Sequence, residues 1–164
     1  MIPKKYLPQK LSKKDYNVQR KALIQSKSDY MQGVYKTRPQ LKSYTSKTSK
    51  HVTRAKKLYN IDSVTPSRKL VTKTGCSMNA LHAIIKKGQG AYYSGGSRPS
   101  QTASSWGHAR LASALTGGKS AAVDYKILNA GCKPKSKALM LAKAAKKKHG
   151  YGQRRVPKVT LKEI

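Results

Sequence analysis

Thr65-Pro-Ser-Arg-Lys-Leu-Val-Thr-Lys-Thr-Gly75-Cys-Ser-Met-Asn-Ala-Leu-His-Ala-Ile-Ile-Lys-Lys-Gly88 carries two helix starts and two helix stops in succession. Thr65 has the chemistry of an N-cap, with Pro66 at the first helical position, and the helix it opens runs over 67–73 to Gly75. Ser77 caps a second helix from Met78 to Lys87, in which Met78, Leu81, Ile84 and Ile85 recur at helical spacing, and Gly88 ends it. No strand-like alternation interrupts this stretch, so helix is the governing element.

The same punctuation continues outward. Gly88 to Pro99 reads as a glycine-punctuated loop around a short extended Tyr92-Tyr93 pair. Ser104 or Ser105 opens a helix from Trp106 to Leu115, closed by Gly117-Gly118. Another helix over 121–130 groups Val123, Ile127 and Leu128 and stops at Gly131. The last spans Lys137 to Lys148, apolar in its first half and Lys/Ala in its second, and Gly150 and Pro157 mark a frayed tail. Toward the N-terminus, Ser49 caps a helix over 50–59 and residues 36–48 read as an extended connector. Ser12 opens a helix that stops at Gly33, with Tyr16, Leu23 and Tyr30 as a narrow inward stripe. The expected fold is mainly α: a small irregular domain of short helices around a Gly/Tyr/Trp-rich loop, with extended basic N- and C-terminal flanks and little or no sheet.

Charge divides the chain. In 164 residues, 36 Lys and Arg face 5 Asp and Glu, for a net charge of +31. Residues 1–60 hold sixteen basic and two acidic residues, 75–132 hold six and one, and 133–164 hold eleven and one. The expected organisation is therefore a basic N-terminal arm (1–60), a compact helical core (61–132) and a basic C-terminal helix and tail (133–164). With 37% apolar residues, one Trp and no Phe, a core is possible but thin. So few carboxylates nearly exclude an enzyme built on a carboxylate pair. No apolar run of ~18 residues exists to span a membrane, and the first residues lack the apolar stretch of a secretory signal. Cys76 and Cys132 are too few for a disulfide framework and read as free thiols in a reducing setting.

Several constellations carry possible chemistry. Residues 67–85 have the outline of a helix-turn-helix, whose second helix would offer Asn79, His82, Lys86 and Lys87 to base edges; an ordinary helix pair fits the spacing equally well. Loop 88–98 does not follow a strand, and Gly117-Gly118-Lys119-Ser120 lacks the earlier glycine of a Walker loop because Ser113 stands there, so no nucleotide site is expected. Cys76, His82, His108 and Cys132 lack the spacing of a zinc site, and no metal or cofactor is expected. Tyr92, Tyr93, Arg98, Trp106 and Arg110 are the expected structural anchor, with Asp124 as the ionic partner of one arginine. Polyanion or partner contact is expected from Lys13, Lys14, Arg20, Lys21, Lys56, Lys57, Lys146, Lys147, Lys148, Arg154 and Arg155. Contacts of this kind would be salt-dependent and largely indifferent to sequence.

The segment Lys87-Gly-Gln-Gly-Ala-Tyr-Tyr-Ser-Gly-Gly-Ser-Arg-Pro-Ser-Gln-Thr-Ala-Ser-Ser-Trp-Gly-His-Ala-Arg-Leu-Ala-Ser-Ala-Leu-Thr-Gly-Gly-Lys119 resembles the signature block of an uncharacterised domain family. That family belongs to large nucleocytoplasmic double-stranded DNA viruses of algae and protists, and the likeness extends over residues 4 to about 132. It implies a viral protein associated with the virion and brings no catalytic residue. The expected function is that of a non-enzymatic minor capsid component, bridging capsid proteins and touching acidic surfaces or the packaged genome. The alternative is a genome-condensing core protein that holds double-stranded DNA by its backbone. Its expected location is the virion, and the host cell interior during assembly.

Overall fold

The computed structural model describes residues 1–150 and 158–160. Among them, eight α-helices follow in order: α1 (Lys13–Met31), α2 (Lys50–Tyr59), α3 (Arg68–Thr74), α4 (Met78–Gly95), α5 (Ala103–Leu115), α6 (Lys119–Val123), α7 (Tyr125–Gly131) and α8 (Lys137–His149). The protein is mainly helical. Its small sheet is one antiparallel pair, β1 (Ile2–Pro3) with β2 (Lys158–Val159), in which Ile2 faces Val159. Serine hydroxyls start four helices by accepting an otherwise unpaired first-turn amide: Ser12 for α1, Ser49 for α2, Ser67 for α3 and Ser136 for α8. Ser77 does the same for α4 through the Ala80 amide.

The chain divides into two compact units. One holds residues 48–88 and 107–150 and contains the apolar core. Leu70, Leu81, Ile84, Leu111, Leu115 and Leu128 are fully buried there, and α8 adds Ala138, Leu139, Ala142 and Ala145 at helical spacing. Cys76 and Cys132 are joined by a disulfide between the α3–α4 and α7–α8 turns. The Ser77 amide donates to the Gly131 carbonyl (2.7 Å) and the Lys133 amide to the Gly75 carbonyl (2.9 Å), bracketing the pair. Free thiols were the expectation from cysteine number. The fold instead brings together two residues that sequence separation kept apart.

The other unit holds residues 1–47, 89–106 and 158–160. Its interior is strongly polar: beside Leu7, Leu11, Leu23, Leu41 and Tyr92 it buries Gln19, Ser26, Asp29, Arg38 and Ser97. These units cut across the linear arm, core and tail. Alanines of α8 belong to the apolar core, and the N-terminal segment folds with residues 89–106 rather than extending away.

Four local expectations change. α4 continues through Gly88, Gly90, Tyr92 and Tyr93 to Gly95, so residues 88–95 are helix and not loop. Gly88 is a contact rather than a stop, since a Cβ there would lie 2.6 Å from the Gly107 Cα; the left-handed residue that ends the helix is Gly96, at φ +87°. The helix over 121–130 is broken at Asp124, which both ends α6 and precedes α7. On α1 the inward face is Gln19, Leu23, Ser26 and Asp29, whereas Tyr30 is exposed. A stripe chosen by apolarity misses a face buried through hydrogen bonds. The cap of α3 is Ser67 and not Thr65.

Candidate functional site

Asp124 is the centre of the first built cluster. It sits where α6 gives way to α7, with its carboxylate fully buried. Arg110 on α5 grips it with two bonds, Nε to Oδ2 and Nη2 to Oδ1, each 2.8 Å. Lys87 on α4 adds its ammonium at 3.4 Å from Oδ1. Two parallel donors on one carboxylate fix both distance and plane, which a lysine alone cannot do. Asp124 thereby links α4, α5 and the α6–α7 junction.

The second cluster centres on Arg38, which lies in the connector after α1 and is only 6% exposed. Its Nη1 donates to Ser26 Oγ and its Nη2 to Ser97 Oγ, both at 2.8 Å. Its guanidinium carbon stands 3.8 Å from the centre of the Tyr92 ring, and its backbone amide donates to the Tyr92 hydroxyl. The two serine hydroxyls pass their own protons to the Tyr93 and Arg98 carbonyls, which leaves lone pairs for the guanidinium. Among the described residues, the buried Arg38 Nε and the buried Gln19 Oε1 have no hydrogen-bond partner. Burial works against the Arg38 charge and lowers its pKa, opposed by the phenols of Tyr92, Tyr6 and Tyr93. Tyr6 is pushed up by burial, against the pull of Arg98 and Arg38.

The six residues expected as one anchor therefore occupy two places. Tyr92, Tyr93, Arg98 and Trp106 belong to the polar unit, and Arg110 and Asp124 to the apolar one. Tyr92 is fully buried, Tyr93 and Trp106 are half-buried, and Arg98 is exposed; Tyr6 meets the edge of Trp106 at 5.9 Å. Sequence reading passed over Arg38, Ser26, Ser97 and Gln19. Arg38 precedes Pro39, which favours an extended backbone, but nothing else separates it from the other basic residues.

Most of the remaining positive charge among the described residues points outward. Of the acids among the described residues, Asp124 is buried by Arg110, and Asp29 is 8% exposed beside Gln25 and Lys36. Asp15 accepts from the Ser43 amide and hydroxyl, which hold its carboxyl below the ordinary range. Asp62 is exposed and borders a hollow of about 190 Å³, below the roughly 300 Å³ where small-molecule pockets begin. Against these, Lys13, Lys14, Lys21, Lys56, Lys57, Lys147 and Lys148 are all exposed. Arg20 is half-buried, and Lys146 lies half-buried with its ammonium 4.4 Å from the Tyr125 ring centre. Arg154 and Arg155 lie outside the described residues. On α4, Asn79, His82 and Lys86 are exposed, while Lys87 is drawn to Asp124.

Among the described residues, no group of three or more His, Cys, Asp or Glu is placed to hold a metal ion. No helix among them is long and apolar enough to cross a membrane. Residues 3–130 match a domain family of unknown function, DUF5824. The chain belongs to that family. The DUF5824 match contains both clusters, Arg38 with its partners and Asp124 with Arg110, and ends inside α7, before Cys132 and α8. No curated protein and no solved structure matches the chain.

Proposed function

We propose that this protein is a non-enzymatic structural component of a virion, a minor capsid protein of a large DNA virus. It bridges capsid proteins and sets its basic surface against their acidic patches or against the packaged genome. The observation that carries this reading is the sorting of charge. Asp124 and Asp29 are turned inward and Asp15 is bonded to Ser43, while lysines of α1, α2 and α8 stand exposed. A surface so one-sided repels its own copies and favours an acidic counterpart. The resemblance of residues 87–119 to a viral signature block supplies the virion, and the host cell during assembly, as the setting.

The test is to purify virions, separate shell from genome-bearing core, and quantify the chain in each by mass spectrometry. Retention on the shell at fixed stoichiometry after nuclease and moderate salt supports the capsid role. Release with the genome, or steady loss as salt rises, replaces it with genome condensation by backbone contacts. Absence from virions refutes both. Exchanging Lys147 and Lys148 for glutamine should weaken polyanion binding with the fold unchanged, and an unaltered salt slope would remove α8 from the contact.

A further inference from the structure

Of the large apolar side chains exposed on the described surface, Ile24, Tyr30, Met31, Val34 and Tyr35 come from one short stretch at the end of α1. Met31 is 82% and Tyr35 61% exposed. The stretch is built rather than loose. The Gln32 and Val34 amides donate to the Asp29 carbonyl and the Gly33 amide to the Tyr30 carbonyl, and Gly33 takes φ +75°. Tyr35 is held between Tyr30 at 5.8 Å and Tyr93 at 5.2 Å, and Tyr93 leans on Tyr92 at 5.1 Å, whose ring the Arg38 guanidinium covers at 3.8 Å. Rings ordered in advance lose little further freedom when something docks on them.

We propose that this patch is a docking site for an acidic protein segment that carries an apolar or aromatic side chain; for the source of that segment, a capsid protein, the proposal rests on the reading above. Charge complementarity selects the occupant. Exposed Lys21 and Lys27 lie on α1 beside Ile24 and Met31, and exposed Lys36 follows Tyr35. The nearest acid, Asp29, is buried and faces Gln25 and Lys36. A second copy is disfavoured, because a two-fold contact would oppose these lysines to themselves on chains that each carry +31. Single-stranded nucleic acid would suit the charge. Yet Met31, Ile24 and Val34 offer aliphatic surface where a base needs a flat partner, and the tyrosine rings stand at 61° and 51° to one another rather than as parallel shelves.

The full chain is titrated with three fluorescent probes at one salt concentration: a random glutamate–tyrosine copolymer, a glutamate homopolymer of equal length, and oligothymidylate. The copolymer should bind about tenfold more tightly than the homopolymer, a difference near 1.4 kcal/mol. Met31→Ser with Tyr35→Ser should erase that ratio and leave homopolymer affinity unchanged. Met31→Ser alone carries the test if the pair lowers the melting temperature. Equal binding of the two glutamate probes, or a ratio that survives the substitutions, overturns the proposal. So does a larger loss for oligothymidylate than for the copolymer, or self-association of the free chain that the substitutions abolish. A tenfold ratio in a chain absent from virions would sink the virion reading and keep the dock. A shell-bound chain with equal probe affinities would do the reverse.

Discussion

Reducing the Cys76–Cys132 disulfide should destabilise the apolar unit without rearranging it. The bond joins residues separated by 56 positions, and both cysteines are buried, at 1% and 6% exposure. A cross-link stabilises chiefly by restricting the unfolded chain, and the loop-closure entropy for a ring of that length amounts to about 4 kcal/mol at 25 °C. For a chain of this size each kcal/mol moves the midpoint by roughly 2–4 °C, so the expected loss is about 8–16 °C. The folded form should survive, because the Ser77–Gly131 and Lys133–Gly75 hydrogen bonds hold the two turns together on either side of the pair. Two sulfhydryls in an apolar interior cost little by themselves. The assay is thermal melting by far-ultraviolet circular dichroism, on protein refolded with and without a phosphine reductant, beside Cys76→Ala with Cys132→Ala. Unchanged helical signal at low temperature with a midpoint lowered into the stated window supports the reasoning. A shift under about 2 °C in both comparisons refutes it, since that corresponds to less than 1 kcal/mol. Loss of helix on reduction refutes the second half, in which backbone pairing outlasts the bond.

Asp124→Asn should cost about 3 kcal/mol in urea unfolding, because it leaves the Arg110 guanidinium at 21% side-chain exposure without its carboxylate. Lys87→Gln should cost under about 1 kcal/mol, since the lysine is 52% exposed; equal losses would contradict the division of labour between the two bases. Gly88→Ala should destabilise by about 1–3 kcal/mol, as its Cβ would meet the Gly107 Cα at 2.6 Å. Gly90→Ala in the same helix meets nothing within 4 Å and should stabilise by about 0.5–1 kcal/mol, so the two melts should move in opposite directions. Arg38→Ala should lower the midpoint of the polar unit by the equivalent of about 3 kcal/mol, through two lost buried hydrogen bonds and the ring contact. Arg98→Ala, at an exposed position, should stay within about 0.5 kcal/mol, and a reversal of that order would remove Arg38 as the keystone.

Four helix starts were legible because each is decided within four residues. Ser12, Ser49, Ser77 and Ser136 accept amides of their own first turns, so the signal and the structure share one stretch of chain. Helix ends were legible where glycine takes a left-handed turn, as at Gly75, and misleading where it only makes room, as at Gly88. Those two uses of glycine look alike in one dimension. The Asp124 anchor was half legible: scarcity marked it as the acid of the central region, but choosing Arg110 over Arg98 required the packing of α5 on the α6–α7 junction. Arg38 gave no signal, because one basic residue among thirty-six acquires its role only from the serines and the ring around it.

What the amino-acid sequence alone determined here is local or summed: helical class, half of the helix starts, and a charge of +31. Cap chemistry acts over one turn and net charge is additive, so neither depends on the path of the chain. Tertiary structure decided the rest. It joined Cys76 to Cys132, placed α8 in the apolar core, and gathered residues 1–47 with 89–106 around a buried arginine. Each of these unites residues whose separation along the chain exceeds any local period. Their free energy exists only once burial has removed the competing water, and that burial belongs to the whole fold.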